Sequence, residues 1–148
     1  MIIKKLAELG YDFKPAPEKT LEFNSATVVG NLVYTSGQVP ILGETVITGK
    51  VGSQVDLDTA KKAAEICAYN CLRAAGSVVD INKVTRVVKM LGMVNVAEGF
   101  DKTADVINGA TEFLNKIFGE NNSHARSAVG MVLPANYSVE VEMILAVE

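Results

Sequence analysis

The spacing of apolar residues predicts the elements of this chain, beginning with a short helix. The apolar side chains between Ile2 and Leu9 fall on one helical face, and Gly10 follows where a glycine commonly ends a helix. Residues 14–17, with the sequence KPAP, cannot continue that helix because each proline forces the preceding residue out of the helical region. Residues 1–19 are therefore predicted to form an amphipathic helix and an extended connector.

Five segments rich in β-branched and aromatic residues predict strands. They are residues 21–29, 32–36, 84–96, 126–132 and 138–147. Gly30 and Asn31 give the two-residue signal of a hairpin between the first two, and a turn cluster at residues 133–136 suggests that the last two also pair. Glycines punctuate residues 41–55, which are predicted to be a loop with a short strand near residues 45–48.

Two segments change to a period of three and four residues, which predicts helices. The first begins at Asp56, a suitable N-cap, and ends at Gly76; the second covers residues 101–118 and stops at the glycine that follows. The buried stripe of the first helix is mostly alanine and cysteine, so its axis can lie close to a sheet. Cys67 and Cys71 are neighbours in that stripe. With one histidine in the chain, we interpret them as small buried residues and not as a metal or redox pair.

Two helices and one sheet predict an α+β domain of two layers, in which the helices cover one face of the sheet. In the last strand Val139 and its alternates point one way, while Glu140 and Glu142 point the other way together with Ile144. Carboxylates beside apolar residues on the uncovered face suggest an interface with a polar site set into it.

Composition limits the classes of function. With 49% hydrophobic and 21% charged residues, the chain is predicted to fold as one domain over residues 1–148, with its core at residues 20–148. We expect neither a membrane span nor a signal peptide, because the apolar runs are too short. A net charge of −3 without a basic run argues against nucleic acid as a partner. The lack of a disulfide framework favours a cytoplasmic location.

Two separated stretches carry a resemblance to a known family. Residues 30–40, GNLVYTSGQVP, and residues 125–147, ARSAVGMVLPANYSVEVEMILAV, resemble the RidA family, also called the YjgF family. The segments GKVG and HARSAVG resemble a longer subgroup that is often labelled endoribonuclease L-PSP-like. The resemblance implies a chorismate mutase-like fold with a mixed sheet and assembly as a homotrimer. It also implies hydrolysis of reactive 2-imino acids, or their enamine tautomers, to 2-oxo acids and ammonia in a cleft between subunits, without a metal or cofactor.

The resemblance assigns three residues to the chemistry. Arg126 occupies the position of the substrate-binding arginine, whose planar fork can hold a carboxylate through two parallel hydrogen bonds. Glu140 matches the acid that positions the attacking water, and the backbone carbonyl of Ala128 is expected to support the same water. From the residue type alone, the arginine could equally form a surface ion pair.

Two further residues are candidates for the same site. Glu142 is the alternative to Glu140, because strand alternation puts both on one face, and either could instead pair with Arg86 or Lys89 on a neighbouring strand. His124 lies two residues before the arginine and is a candidate proton shuttle, although a solvated loop histidine is the simpler interpretation.

The walls of the cleft are assigned by resemblance to Phe23, Ser36, Gly37 and Asn108. Gly37 would let the backbone approach a ligand and donate its N–H to the carboxylate, with the Ser36 hydroxyl as a second donor. Phe23 stands where active members carry a tyrosine, so a hydroxyl is lost there. That loss keeps a second function open, a non-catalytic module that binds a small carboxylate. A third, ribonuclease activity, follows the family's older description and is disfavoured by the acidic composition.

Overall fold

The computed structural model describes residues 1–17, 19, 22–119 and 122–148. Within them the helices are α1 (Ile2–Glu8), α2 (Leu57–Ala75) and α3 (Thr103–Phe118). The strands are β1 (Ala26–Val29), β2 (Leu32–Thr35), β3 (Ile41–Leu42), β4 (Thr45–Val46), β5 (Val84–Asn95), β6 (Ala125–Met131) and β7 (Val139–Val147). Short 3₁₀ turns cover Ile81–Lys83 and Pro134–Asn136. No helix in this described part is both long and apolar enough to cross a membrane.

The main sheet is mixed and has five strands in the order β1-β2-β7-β5-β6. Strands β5 and β6 are parallel and are joined through α3, as a parallel pair requires, and every other pair in this sheet is antiparallel. The prediction that the last two strands pair with each other is wrong, because β5 lies between β6 and β7. The 3₁₀ turn at Pro134–Asn136 therefore carries the chain past β5 and does not close a hairpin. Strands β3 and β4 form a separate small hairpin.

Helices α2 and α3 cover one face of this sheet, so the predicted two-layer α+β fold is confirmed. The covered face of β7 consists of Val139, Val141, Met143 and Leu145, all buried. Asp56 caps α2 as predicted and accepts a hydrogen bond from the Thr59 N–H at 2.8 Å. The helix approaches β7 closely, since the Cys71 thiol donates to the carbonyl of Val141 at 3.2 Å. The opposite face, which we call the open face, carries Glu140, Glu142 and Ile144.

The N-terminal segment packs against the same helices. Helix α1 buries Ile2 and Leu6. The ring of Tyr11 then lies 4.4 Å from that of Tyr69 on α2. Beyond it the connector is attached to the last turn of α2, because the Ala16 N–H donates to the carbonyl of Arg73 at 2.9 Å. The N-terminal segment therefore adds to the core that α2 and α3 build.

The hairpin of β1 and β2 differs from the prediction at the start of β1 and at the end of β2. Leu21, the predicted start of the first strand, lies outside the described residues, and the strand begins only at Ala26. In β2, Tyr34 pairs with Ile144, and beyond the end of β2, Gln38 pairs with Val141. The segment that contains β2 therefore uses one residue more than β7 over the same distance. This extra residue is a β-bulge, and Gly37 lies inside it.

Candidate active site

The predicted site residues fall into two groups on opposite faces of the sheet. On β6, Arg126 and Ala128 pair with Met90 and Gly92 of β5, which are buried under the helices. Arg126 therefore lies on the helix-covered face. Glu140 alternates with buried valines on β7 and lies on the open face.

Arg126 is held by α3, and it forms no ion pair with a carboxylate of the described residues. Its Nη1 donates to the Thr111 hydroxyl at 2.9 Å, and its Nη2 donates to the carbonyl of Ala104 at 3.2 Å. Asn108 lies on the same helical stripe, between these two residues. The guanidinium is half-buried and borders a cavity of about 480 Å³. Contacts to a helix fix the fork while one side of it faces open space.

His124 contacts the same threonine hydroxyl as Arg126. We call Arg126, Thr111 and His124 the arginine cluster. The imidazole Nε2 lies 3.1 Å from the Thr111 hydroxyl, and Nδ1 lies 3.2 Å from the carbonyl of Asn122. Burial lowers the pKa of His124, the positive charge of Arg126 lowers it further, and the contact with Asn122 opposes the shift. The ring is thus half-buried and its neutral form is favoured, unlike the solvated loop histidine that the sequence made the simpler interpretation.

Ala128 offers its carbonyl to the neighbourhood of the same helix. That oxygen accepts a hydrogen bond from the Thr103 hydroxyl, at 3.0 Å. A carbonyl oxygen has two lone pairs and can accept from more than one donor.

The second group is the carboxylate cluster (Glu140, Glu142 and Gly37). A Cβ built on Gly37 would collide with the Glu140 carboxylate, so the glycine in the bulge is what lets that carboxylate lie against the backbone. Burial raises the pKa of Glu140, and the negative charge of Glu142 raises it further. Across the described residues, neither glutamate forms an ion pair with Arg86 or Lys89. The described part of the chain therefore does not contain the cross-strand ion pair that the sequence left as an alternative.

Phe23 and Ser36 lie beside the carboxylate cluster. Together with Gly37 they border a cavity of about 420 Å³, and Phe23 is 59% exposed. The Ser36 hydroxyl donates to the carbonyl of Asn24 at 2.7 Å, so its single proton is already engaged. By contrast, the Gly37 N–H donates to no other group within the described ranges. Of the two donors expected here, the backbone N–H is the one that has no hydrogen-bond partner in this part of the chain.

One chain does not bring the two clusters together. Glu140 lies opposite Met93, which lies opposite Val129, so β6 is two strands away from Glu140, roughly 10 Å at the usual strand spacing. Arg126 is three residues further along β6 and on the other face. A small substrate cannot contact both Arg126 and Glu140 of the same chain.

Comparison with known proteins identifies the family. The model of the family described as Endoribonuclease L-PSP matches residues 13–147. The chain belongs to this family, also known as YjgF or RidA. The resemblance noted in the sequence is thereby confirmed.

Relatives of the L-PSP family differ in how closely they share this fold. Protein TCP17 of Trypanosoma cruzi is 30% identical over 97% of this chain and 92% of its own. The crystal structure of Atu1372 from Agrobacterium tumefaciens, a protein of unknown function, is 38% identical with a TM-score of 0.86, covering 99% of this chain and 92% of that one. The YjgF gene product of E. coli is 27% identical with a TM-score of 0.58, covering 90% and 93%. The chain therefore shares more of its architecture with Atu1372 than with YjgF.

Sequence reasoning missed two side chains of this L-PSP chain. Thr111 joins Arg126 to His124, and its position seven residues after Ala104 on one helical stripe could have indicated it. Arg73 borders the cavity beside Phe23 and Gly37, and no motif marked it because the contact joins the end of α2 to the bulge.

Proposed function

We propose that this protein hydrolyses 2-imino acids, or their enamine tautomers, to 2-oxo acids and ammonia. The balanced reaction is R–C(=NH)–COO⁻ + H₂O → R–CO–COO⁻ + NH₃. Membership of the RidA family supports the class of reaction. The observation that carries the proposal is the carboxylate of Glu140 lying against the Gly37 backbone with a raised pKa, beside a Gly37 N–H that donates to no other group within the described residues.

The reaction is proposed to take place between copies of the chain. Arg126 from the edge of one copy would meet Glu140 on the open face of the next, and the family resemblance suggests a homotrimer. Exposed apolar residues on that face support such packing: Val29, Tyr34, Val129 and Met131. A surface of this kind is unusual for a protein that stays monomeric.

In the proposed mechanism Arg126 binds the substrate carboxylate and Glu140 activates water. Ionised Glu140 accepts a proton from the water as its oxygen attacks the imine carbon, and the Ala128 carbonyl helps to orient that water. The C–N π electrons become a lone pair on nitrogen, which takes the proton back from Glu140 to give a neutral carbinolamine. Glu140 then accepts the proton of the carbinolamine hydroxyl and passes it to nitrogen, the C–O π bond forms as the C–N bond breaks, and ammonia leaves. A raised pKa makes Glu140 a stronger base for the first of these steps.

The role of Arg126 can be tested with an imino acid produced in situ by an amino-acid oxidase. We expect Arg126→Ala to abolish the acceleration of ammonia release, and Arg126→Lys to fail to restore it, because an ammonium group cannot reproduce the two-point contact of a guanidinium. Lys116→Ala, which removes an exposed cation from α3, is the matched control and should behave as wild type. Acceleration by either arginine variant at the wild-type rate would contradict the proposed role, and an inactive wild type would contradict the proposed function.

A non-catalytic carboxylate-binding module is the second candidate function. Phe23 favours it, because this side chain borders the cavity without the hydroxyl that active members place there. Binding without turnover would appear as thermal stabilisation, which reaches about 2.7 kcal/mol when the ligand is at roughly 100 times its Kd. If Phe23→Tyr gives turnover where the wild type gives none, the module interpretation is correct for the wild type.

Ribonuclease activity, which the name of the family suggests, finds less support. The chain has a net charge of −3, and proteins that contact several phosphates usually present a basic surface. In a titration with single-stranded RNA, we expect no binding whose affinity falls steeply as the salt concentration rises.

A further inference from the structure

Arg73 borders the cavity that Phe23 and Gly37 also border. It belongs to the last turn of α2, and the cavity lies between that turn, the connector and the bulge after β2. Gly37 is shared by two neighbourhoods, since it also lies against the Glu140 carboxylate. Gly37 therefore links the cavity that Arg73 borders to the backbone that Glu140 contacts.

Only some of the N–H groups of the Arg73 guanidinium form hydrogen bonds with the described residues. Its Nε donates to the carbonyl of Lys14 at 2.8 Å, and its Nη1 is 3.4 Å from the side-chain oxygen of Asn70. The buried Asn70 is itself anchored, because its amide nitrogen donates to the carbonyls of Val39 and Ile41. Within the described residues two of the three guanidinium nitrogens are thus engaged, and Nη2 remains for a ligand.

No described carboxylate lies within ion-pairing distance of Arg73, so its charge is not neutralised within the described part of the chain. A half-buried guanidinium with one free edge, facing a cavity of about 420 Å³, is suited to an anion. Phe23 provides an apolar wall in the same cavity, against which methylene groups can pack.

We propose that this cavity is a subsite for a second acidic group and that the substrates are short dicarboxylic 2-imino acids. This inference rests on the proposed function. Arg126 binds the carboxylate next to the imine, and Arg73 binds the carboxylate at the end of the side chain. Phe23 contacts the carbon chain between them, where a tyrosine hydroxyl would have no polar partner on the substrate.

A purely structural role for Arg73 predicts a different outcome. The side chain also holds the connector, since its Nε donates to the carbonyl of Lys14. Loss of that attachment would impair every substrate equally, whereas loss of an anion subsite impairs only dicarboxylic substrates. The ratio of two substrates separates these roles.

The first experiment compares kcat/KM for 2-iminosuccinate with that for the imine of norvaline, both produced in situ by oxidases. We expect wild type to prefer the dicarboxylic imine, and Arg73→Gln to lower the ratio about tenfold, the loss of one charge-assisted contact. Arg73→Lys should recover part of the ratio, and Lys116→Gln should retain the wild-type ratio. A wild type without preference, or an equal loss on both imines, overturns the inference.

A binding experiment keeps this inference separate from the proposed function. If wild type turns over neither imine, the proposed function fails, and calorimetry with succinate and butyrate then tests the subsite alone. We expect succinate to bind about tenfold more tightly than butyrate to wild type and equally to Arg73→Gln. Equal affinity in wild type, or no binding of either acid, overturns the inference.

Discussion

Glu140 has two separate causes for its raised pKa, and one of them can be removed by a single substitution. Burial comes first and the charge of Glu142 second. If ionised Glu140 is the base, kcat/KM should fall as the pH is lowered through this raised pKa. Glu142→Gln removes the second cause, so the acidic limb of the pH profile should move to lower pH. Glu140→Gln should abolish the activity that defines the limb.

Exposed Glu44 on the β3–β4 turn provides the control for this prediction, and Glu44→Gln should leave the limb in place. The same shift has a consequence for folding. Because folding raises the pKa of Glu140, the folded state binds its proton more tightly, and this residue stabilises the fold less as the pH rises through that window. Relative to wild type, Glu140→Gln should gain stability across that range. An acidic limb unmoved in Glu142→Gln would contradict the assignment of the base.

Residue types indicated candidate site residues but not the contacts between them. The fork of Arg126 and the ambiguity between Glu140 and Glu142 were both visible in the sequence. What separated the two glutamates was Gly37, which only the folded chain places against one of them. The Thr111 hydroxyl was missed for the same reason, since its value lies in joining two residues of another element.

Among the elements, helices with a regular spacing of apolar residues were predicted closely. The features of strands that depend on their pairing partners were not. The alanine-rich stripe and the Asp56 cap indicated α2 to within a residue, because both signals are local. The neighbours of β6 and the start of β1 depend on which distant strand is available, which no local pattern encodes. The bulge at Gly37 is an intermediate case, since glycine indicates an irregular strand but not its register.

At the bulge between β2 and β7, a backbone N–H of β7 donates to a side-chain hydroxyl and not to a backbone carbonyl. The buried Thr35 hydroxyl accepts from the Met143 N–H at 3.1 Å. Thr35→Val keeps the shape but leaves that buried N–H without a partner, so we expect a loss of about 1–3 kcal/mol in the free energy of unfolding. Urea denaturation at a fixed protomer concentration measures it.

Thr85→Val is the matched control for that loss. Thr85 also lies on a strand and is exposed, so its substitution should change the free energy of unfolding by less than about 0.5 kcal/mol. Equal effects of the two substitutions would show that the Thr35 hydroxyl does not complete the ladder at the bulge.

At the scale of the whole molecule, the arginine and carboxylate clusters of one chain are separated by the sheet itself. A single substrate can bridge them only if another copy supplies one of them. The covered face cannot provide this contact, because α2 and α3 occupy it, which leaves the open face with its exposed apolar residues. The separation of the two clusters therefore makes assembly a requirement for the proposed activity.

Complementation between two inactive variants tests this requirement. Arg126→Ala retains Glu140, and Glu140→Gln retains Arg126, so a site formed by one copy of each variant is intact when each supplies its unaltered residue. After joint unfolding and refolding at equal amounts, about a quarter of the sites in a closed ring should be intact, and about a quarter of wild-type activity should return. Each variant refolded alone should stay inactive, as should a mixture of Arg126→Ala with the double variant. If the mixture stays inactive although light scattering shows mixed assemblies, the two residues do not serve one site across an interface.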